Sequence, residues 1–137
     1  MRLVSFDPGG TTGYAIFTRE GEGQWRILAT GEFPADALGL EVIDSIIKPG
    51  DQVIYEQIYV FHRTIKTVGL EVIGAIRHCC AQRGIEPEAR TPGYLQGIRR
   101  WPMTIEPPIV GKHARDAVHH GIVFLGAYNI GGVTFAD

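Results

Sequence analysis

The chain has 137 residues, 45% of them hydrophobic and 20% charged, with a formal net charge of -2. That length fits one domain, 1–137, able to bury roughly two thirds of its unfolded surface, and the composition excludes a disordered, fibrous or coiled-coil protein. The sequence has no apolar run of the ~20 residues a membrane span needs, and no basic segment leading into a short apolar one, so a cytoplasmic protein is expected.

The first strand is predicted over residues 3–6 and the second over 13–18, joined by the turn Pro8-Gly9-Gly10-Thr11-Thr12. After a second turn at Gly21-Glu22-Gly23, a third strand over 24–31 completes an antiparallel meander. Residues 34–48 place Leu38, Val42, Ile43, Ile46 and Ile47 at the 3/4 spacing of an amphipathic helix, closed by Pro49-Gly50. A fourth strand follows over 52–57. Ile65, Val68, Val72, Ile76, Cys79 and Cys80 then repeat at helical spacing over 64–83, with Gly84 as the C-terminal stop. Residues 85–91 read as a short fifth strand that Pro87 restricts to an edge or a strand start. Residues 94–109, with Pro102, Pro107 and Pro108, read as a mostly irregular excursion. The last helix is predicted over 111–125, and Gly131-Gly132 marks a frayed tail. Three strands followed by helix, strand, helix, strand and helix give an α/β domain: a five-stranded mixed sheet with helices on both faces.

Neighbouring Cys79 and Cys80 do not readily bond to each other, lack metal-ligand spacing, and read as small hydrophobes on a helix. Charge is unevenly distributed. Residues 1–61 carry four basic and nine acidic side chains, whereas 62–120 carry nine basic and five acidic ones, so the two stretches stand at -5 and +4. One face is thereby suited to a phosphate backbone.

Two carboxylates sit where apolar neighbours make them expensive. Asp7 ends the first strand and Glu56 nearly ends the fourth, within Val53-Ile54-Tyr55-Glu56-Gln57-Ile58. On adjacent strands they would meet at one end of the sheet, at a cost of several kcal/mol unless paired or holding a cation. The last helix offers His113 and Asp116 on one face, while Ala114, Ala117 and Gly121 let it approach the sheet. Such a donor set suits one or two hard divalent cations, magnesium or manganese, and the two-ion cleavage of a phosphodiester. The turn after Asp7 has a rival reading as a phosphate-wrapping hairpin of the actin and sugar-kinase type. Those proteins need two such units, and only one is present.

Asp7-Pro8-Gly9 with Thr12-Gly13-Tyr14, then Tyr55-Glu56-Gln57, then His113-Ala114-Arg115-Asp116 in a late helix, resembles the RuvC-type Holliday junction resolvases of the ribonuclease H-like superfamily. The resemblance spans nearly the whole chain, and its compactness looks like that of a phage-encoded member, which would act in the bacterial host cytoplasm. It implies a structure-specific DNA endonuclease that resolves four-way junctions by paired symmetric cleavage as a homodimer. Asp7, Glu56, His113 and Asp116 are its implied catalytic and metal-binding residues, with two Mg2+ or Mn2+ ions per site. Tyr59, helped by Phe61, is implied to stack on bases at the crossover. Arg63, Lys66, Arg99, Arg100, Lys112 and Arg115 are candidate phosphate contacts, and the helix 64–83 is the implied dimer element. Two alternatives share the fold: a nuclease for RNA-DNA hybrids or other branched DNA, and an inactive nucleic-acid-binding module.

Overall fold

The computed structural model describes residues 1–58, 67–91, 108–126 and 134–135. Strands β1 (Arg2–Asp7), β2 (Thr11–Thr18) and β3 (Arg26–Pro34) form the antiparallel meander. Helix α1 (Ala37–Ile46) leads to β4 (Gln52–Glu56), which pairs parallel to β1. Helix α2 (Val68–Gln82), strand β5 (Glu88–Arg90) and helix α3 (Lys112–Leu125) follow. The five expected strands make the mixed sheet. A two-residue sixth, β6 (Thr134–Phe135), adds parallel to β3, giving the order β5-β4-β1-β2-β3-β6.

Boundaries shift for identifiable reasons. β3 runs on through Pro34 because Pro34 pairs with Thr11 at the end of the meander. The helix then starts later than its apolar spacing implies. Asp36 is its N-cap, accepting a hydrogen bond from the Gly39 amide at 2.8 Å. β5 lies at the sheet edge directly after Pro87, where the missing amide hydrogen does no harm. The start of the helix expected from residue 64, all of the excursion but residues 108 and 109, and the glycine pair of the tail fall in 59–66, 92–107 and 127–133, outside the described residues.

Strand alternation decides which side each residue serves. Val4 and Phe6 of β1, with Val53 and Tyr55 of β4, face α1 and α2 and pack with Ile43, Ile47, Val72, Ile76 and Cys80. Leu3 of β1 and Ile54 of β4 face the other way, toward Ala117, Val118 and Ile122 of α3. Cys79 and Cys80 are both buried, Cys80 in the α1–α2 core and Cys79 with its Sγ 2.8 Å from Arg83 Nη1.

The period of two also puts Ser5, Asp7 and Glu56 on the α3 side. Ser5 is fully buried and donates its hydroxyl to the Ala117 carbonyl at 2.7 Å, tying the middle of α3 to the middle of β1. Ser5→Ala is expected to lower stability by about 1–2 kcal/mol, because the Ala117 oxygen stays buried and loses this donor. Urea denaturation with an unchanged m-value checks it. Two glycines set how closely α3 lies. A β-carbon at Gly121 would run into the Phe17 ring, and one at Gly13 into the backbone of His113 and Ala114.

Candidate metal centre

β1 and β4 are parallel neighbours in a register that pairs Phe6 with Tyr55. One step further along each strand stand Asp7 and Glu56, at the same end of the sheet and on the same face. The turn behind Asp7 is tightened by Thr12, whose hydroxyl donates to the Gly9 carbonyl at 3.1 Å and accepts from the Gly9 amide at 3.3 Å. Thr12 is fully buried and spent on the turn, so it is not free to hold a phosphate.

α3 lies over both carboxyls and brings a histidine to each. His113 Nδ1 is 2.9 Å from Asp7 Oδ2, and His120 Nε2 is 3.1 Å from Glu56 Oε2. Asp116, a buried acid between the two histidines along the helix, takes an ion pair from Lys112 Nζ at 3.3 Å. All four acids and histidines expected from the sequence, Asp7, Glu56, His113 and Asp116, thus belong to one neighbourhood. The tightest group differs from that quartet: ligand atoms of Asp7, Glu56 and His120 all lie within 4.8 Å of one another.

His120 escaped the sequence reading, although its signal was present. Positions 113, 116 and 120 follow the i, i+3, i+7 spacing of one helical face. The His-x-x-Asp pair drew attention to the first turn of the helix and stopped there.

The electrostatics are those of crowded, desolvated acids. Burial pushes the Asp7 carboxyl from 3.8 up to about 9, helped by a hydrogen bond and negative charge from Glu56 and by the charge of Asp116, against a weaker pull from Lys112. Burial also opposes ionisation of Glu56. There the hydrogen bonds from His120 and Asp7 outweigh it, and the Glu56 carboxyl lies below its ordinary value. One proton held mainly on Asp7 therefore serves two carboxyls. A divalent cation would replace that proton. Converging carboxylate oxygens beside imidazole nitrogen fit magnesium or manganese.

No protein-family model and no curated protein sequence matches this chain. Solved structures do. Thermus thermophilus RuvC in complex with a Holliday junction substrate superposes with a TM-score of 0.65 at 16% identity, over 96% of this chain and 97% of that one. A second Thermus thermophilus RuvC structure gives 0.63 at 15% identity, over 92% and 97%. The fowlpox virus Holliday junction resolvase gives 0.58 at 14% identity, over 93% and 99%. The chain has the ribonuclease H-like fold of RuvC.

On this RuvC-like frame the acid pair sits at the ends of the two central parallel strands. Lys112 and Arg115 are exposed on the first turn of α3, beside the acids. The other nucleic-acid contacts expected from the sequence, Tyr59, Phe61, Arg63, Lys66, Arg99 and Arg100, lie outside the described residues. No helix among the described residues is long and apolar enough to cross a membrane.

Proposed function

We propose that this chain is a divalent-metal-dependent endonuclease that cuts four-way DNA junctions. The observation that carries the reading is the pair of buried Asp7 and half-buried Glu56 on adjacent parallel strand ends, with two histidines and a third acid laid over them by one helix. A protein does not keep three acids and two imidazoles at one buried strand end for stability alone, because each desolvated carboxylate costs several kcal/mol without a counter-charge. Bound Mg2+ or Mn2+, one ion or two, would activate a water and offset the charge that grows on the leaving oxygen of a phosphodiester. In this reading Asp7, Glu56 and Asp116 would hold the ion or ions, and His113 would ligate one or orient a water. Lys112 and Arg115 meet the DNA backbone from the same helix end. Tyr59, Phe61, Arg63, Lys66, Arg99 and Arg100 complete the proposed DNA contacts.

The junction itself is proposed from the fold, since neighbours of this fold are Holliday junction resolvases. Paired cuts on strands of like polarity require two sites related by a two-fold axis, hence a homodimer with an isologous interface. The outward face of α2 is the proposed contact: Leu70, Gly74, Arg77 and His78 are exposed there, and a β-carbon at Gly74 would meet nothing within 4 Å. The deciding experiment offers a four-way junction, a fork, a linear duplex and an RNA-DNA hybrid in parallel, with Mg2+ and with Mn2+. Symmetric paired nicks confined to the junction are expected. Equal cutting of the hybrid would replace this reading with a ribonuclease, and no cutting of any substrate with either metal would leave only a binding module.

A further inference from the structure

The two histidines of α3 are not equivalent. His113 has a side chain 37% exposed, and His120 one that is 1% exposed. His120 reaches Glu56 with Nε2, while its Nδ1 is buried without a hydrogen-bond partner. A carboxylate only accepts, so the bond at 3.1 Å places a hydrogen on Nε2 whether the ring is neutral or charged, and Nδ1 lies on the far side of the ring. A ligating nitrogen must present its lone pair to the ion. In the observed arrangement the nitrogen facing the site has none to give.

We propose that His120 is a positioning residue that holds the Glu56 carboxylate in the metal centre by donating from Nε2, and is not itself a ligand. The inference rests on the metal-centre reading above. Glu56 stands at the last position of β4, half-buried, with three rotatable side-chain bonds whose freedom must be lost for it to serve a cation. His120 removes that freedom from below. It pins Oε2 and is itself immobilised by burial between α3 and the sheet. The arrangement divides the helix face: Asp116 and the exposed His113 address the ion and water, and the buried His120 braces the strand carboxylate. The same geometry explains why a histidine is tolerated where an apolar residue would pack more cheaply.

The test measures Mg2+ and Mn2+ affinity by titration calorimetry for the wild-type chain, His120→Leu and His120→Gln, with folding checked by circular dichroism in chelator. Leucine keeps an apolar filling and removes the donor. Glutamine restores an amide donor of similar reach. Leucine is expected to weaken both ions by about 10- to 100-fold, equally, as lost support of a ligand does. Glutamine is expected to recover most of that loss for both. In junction cutting, the metal concentration for half-activity should rise with leucine while the rate at saturating metal changes little. A loss in both variants that falls far more heavily on Mn2+ than on Mg2+ would make His120 an imidazole ligand and overturn the inference, because imidazole favours the softer ion. An unaltered leucine variant would overturn it too. Should leucine fail to fold, the glutamine variant decides alone: retained affinity for both ions supports positioning, and selective loss of Mn2+ overturns it. A wild-type chain that binds neither ion would instead refute the metal-centre reading underneath.

Discussion

Asp7→Asn is expected to abolish cleavage and at the same time to stabilise the metal-free protein. The carboxylate is central to the proposed site, so its loss should lower the junction-cutting rate by at least about 100- to 1000-fold, the scale of removing one electrostatic partner of a transition state. Junction binding, carried by cations elsewhere on the surface, should survive. The gain in stability follows from the same burial. In the folded chain the Asp7 carboxyl is pushed from 3.8 up to about 9, chiefly by desolvation and then by Glu56 and Asp116. The stability tied to its proton is fully present below the unfolded value and is lost as pH rises through the folded one. Between pH 3.8 and about 9, therefore, the wild-type chain in chelator should become less stable as pH rises, with the unfolded state releasing its proton first. Asparagine carries its own amide hydrogens to Glu56 at every pH. The variant should be more stable by about 1–3 kcal/mol near neutrality, and the pH slope should flatten. Thermal unfolding in chelator across that range measures both effects. Added Mg2+ should reverse the order, raising the midpoint of the wild type and leaving Asp7→Asn nearly unmoved. A variant that cuts junctions at full rate would remove Asp7 from the site altogether.

Much of this arrangement is legible in the chain itself, and the reasons are physical. Period-two alternation in Leu3 to Asp7 and again in Val53 to Glu56 states which residues share a face, so the acid pair follows once β1 and β4 are neighbours. The small residues Ala114, Ala117 and Gly121 announce a helix that lies close to the sheet, and all three are buried. Other features depend on contacts distant in sequence, which no local pattern encodes. The N-cap role of Asp36 was hidden behind Pro34, because a proline at the end of a strand and one at the start of a helix look alike in sequence. β6 is two residues long and exists only by pairing with Arg26 and Ile27, more than a hundred positions earlier. His120 was missed for a different reason. A buried histidine in the middle of an amphipathic helix is most often a packed core residue, and its meaning comes from Glu56, 64 positions away.

The second large effect is expected at Gly13, a residue that carries no chemistry. Gly13 pairs with Asp7 across the β1–β2 ladder, and α3 begins directly above it. A β-carbon there would overlap the carbonyl of His113 and the amide of Ala114. These are backbone atoms in the first turn of a helix, so no rotamer change relieves the clash, and α3 must lift from the sheet at its N-terminal end. His113 moves first, losing its bond to Asp7, and Asp116 follows on the next turn. Gly13→Ala is expected to lower stability by about 3 kcal/mol, the upper part of the range for inserting a methyl into a packed interior. Whatever fraction folds should bind Mg2+ and Mn2+ far more weakly than its stability alone would imply. Gly10→Ala is the control in the same turn. There the nearest atom to a new β-carbon is a Val68 methyl at 3.8 Å, an ordinary contact, and both stability and metal binding should stay close to wild type. A Gly13→Ala chain with unchanged stability and unchanged metal affinity would show that α3 does not need its close seat on β2. The contrast between two glycines three residues apart then separates a turn requirement from a site requirement. The turn takes a side chain at position 10, whereas the proposed metal centre needs position 13 bare so that one helix can bring His113, Asp116 and His120 down onto Asp7 and Glu56.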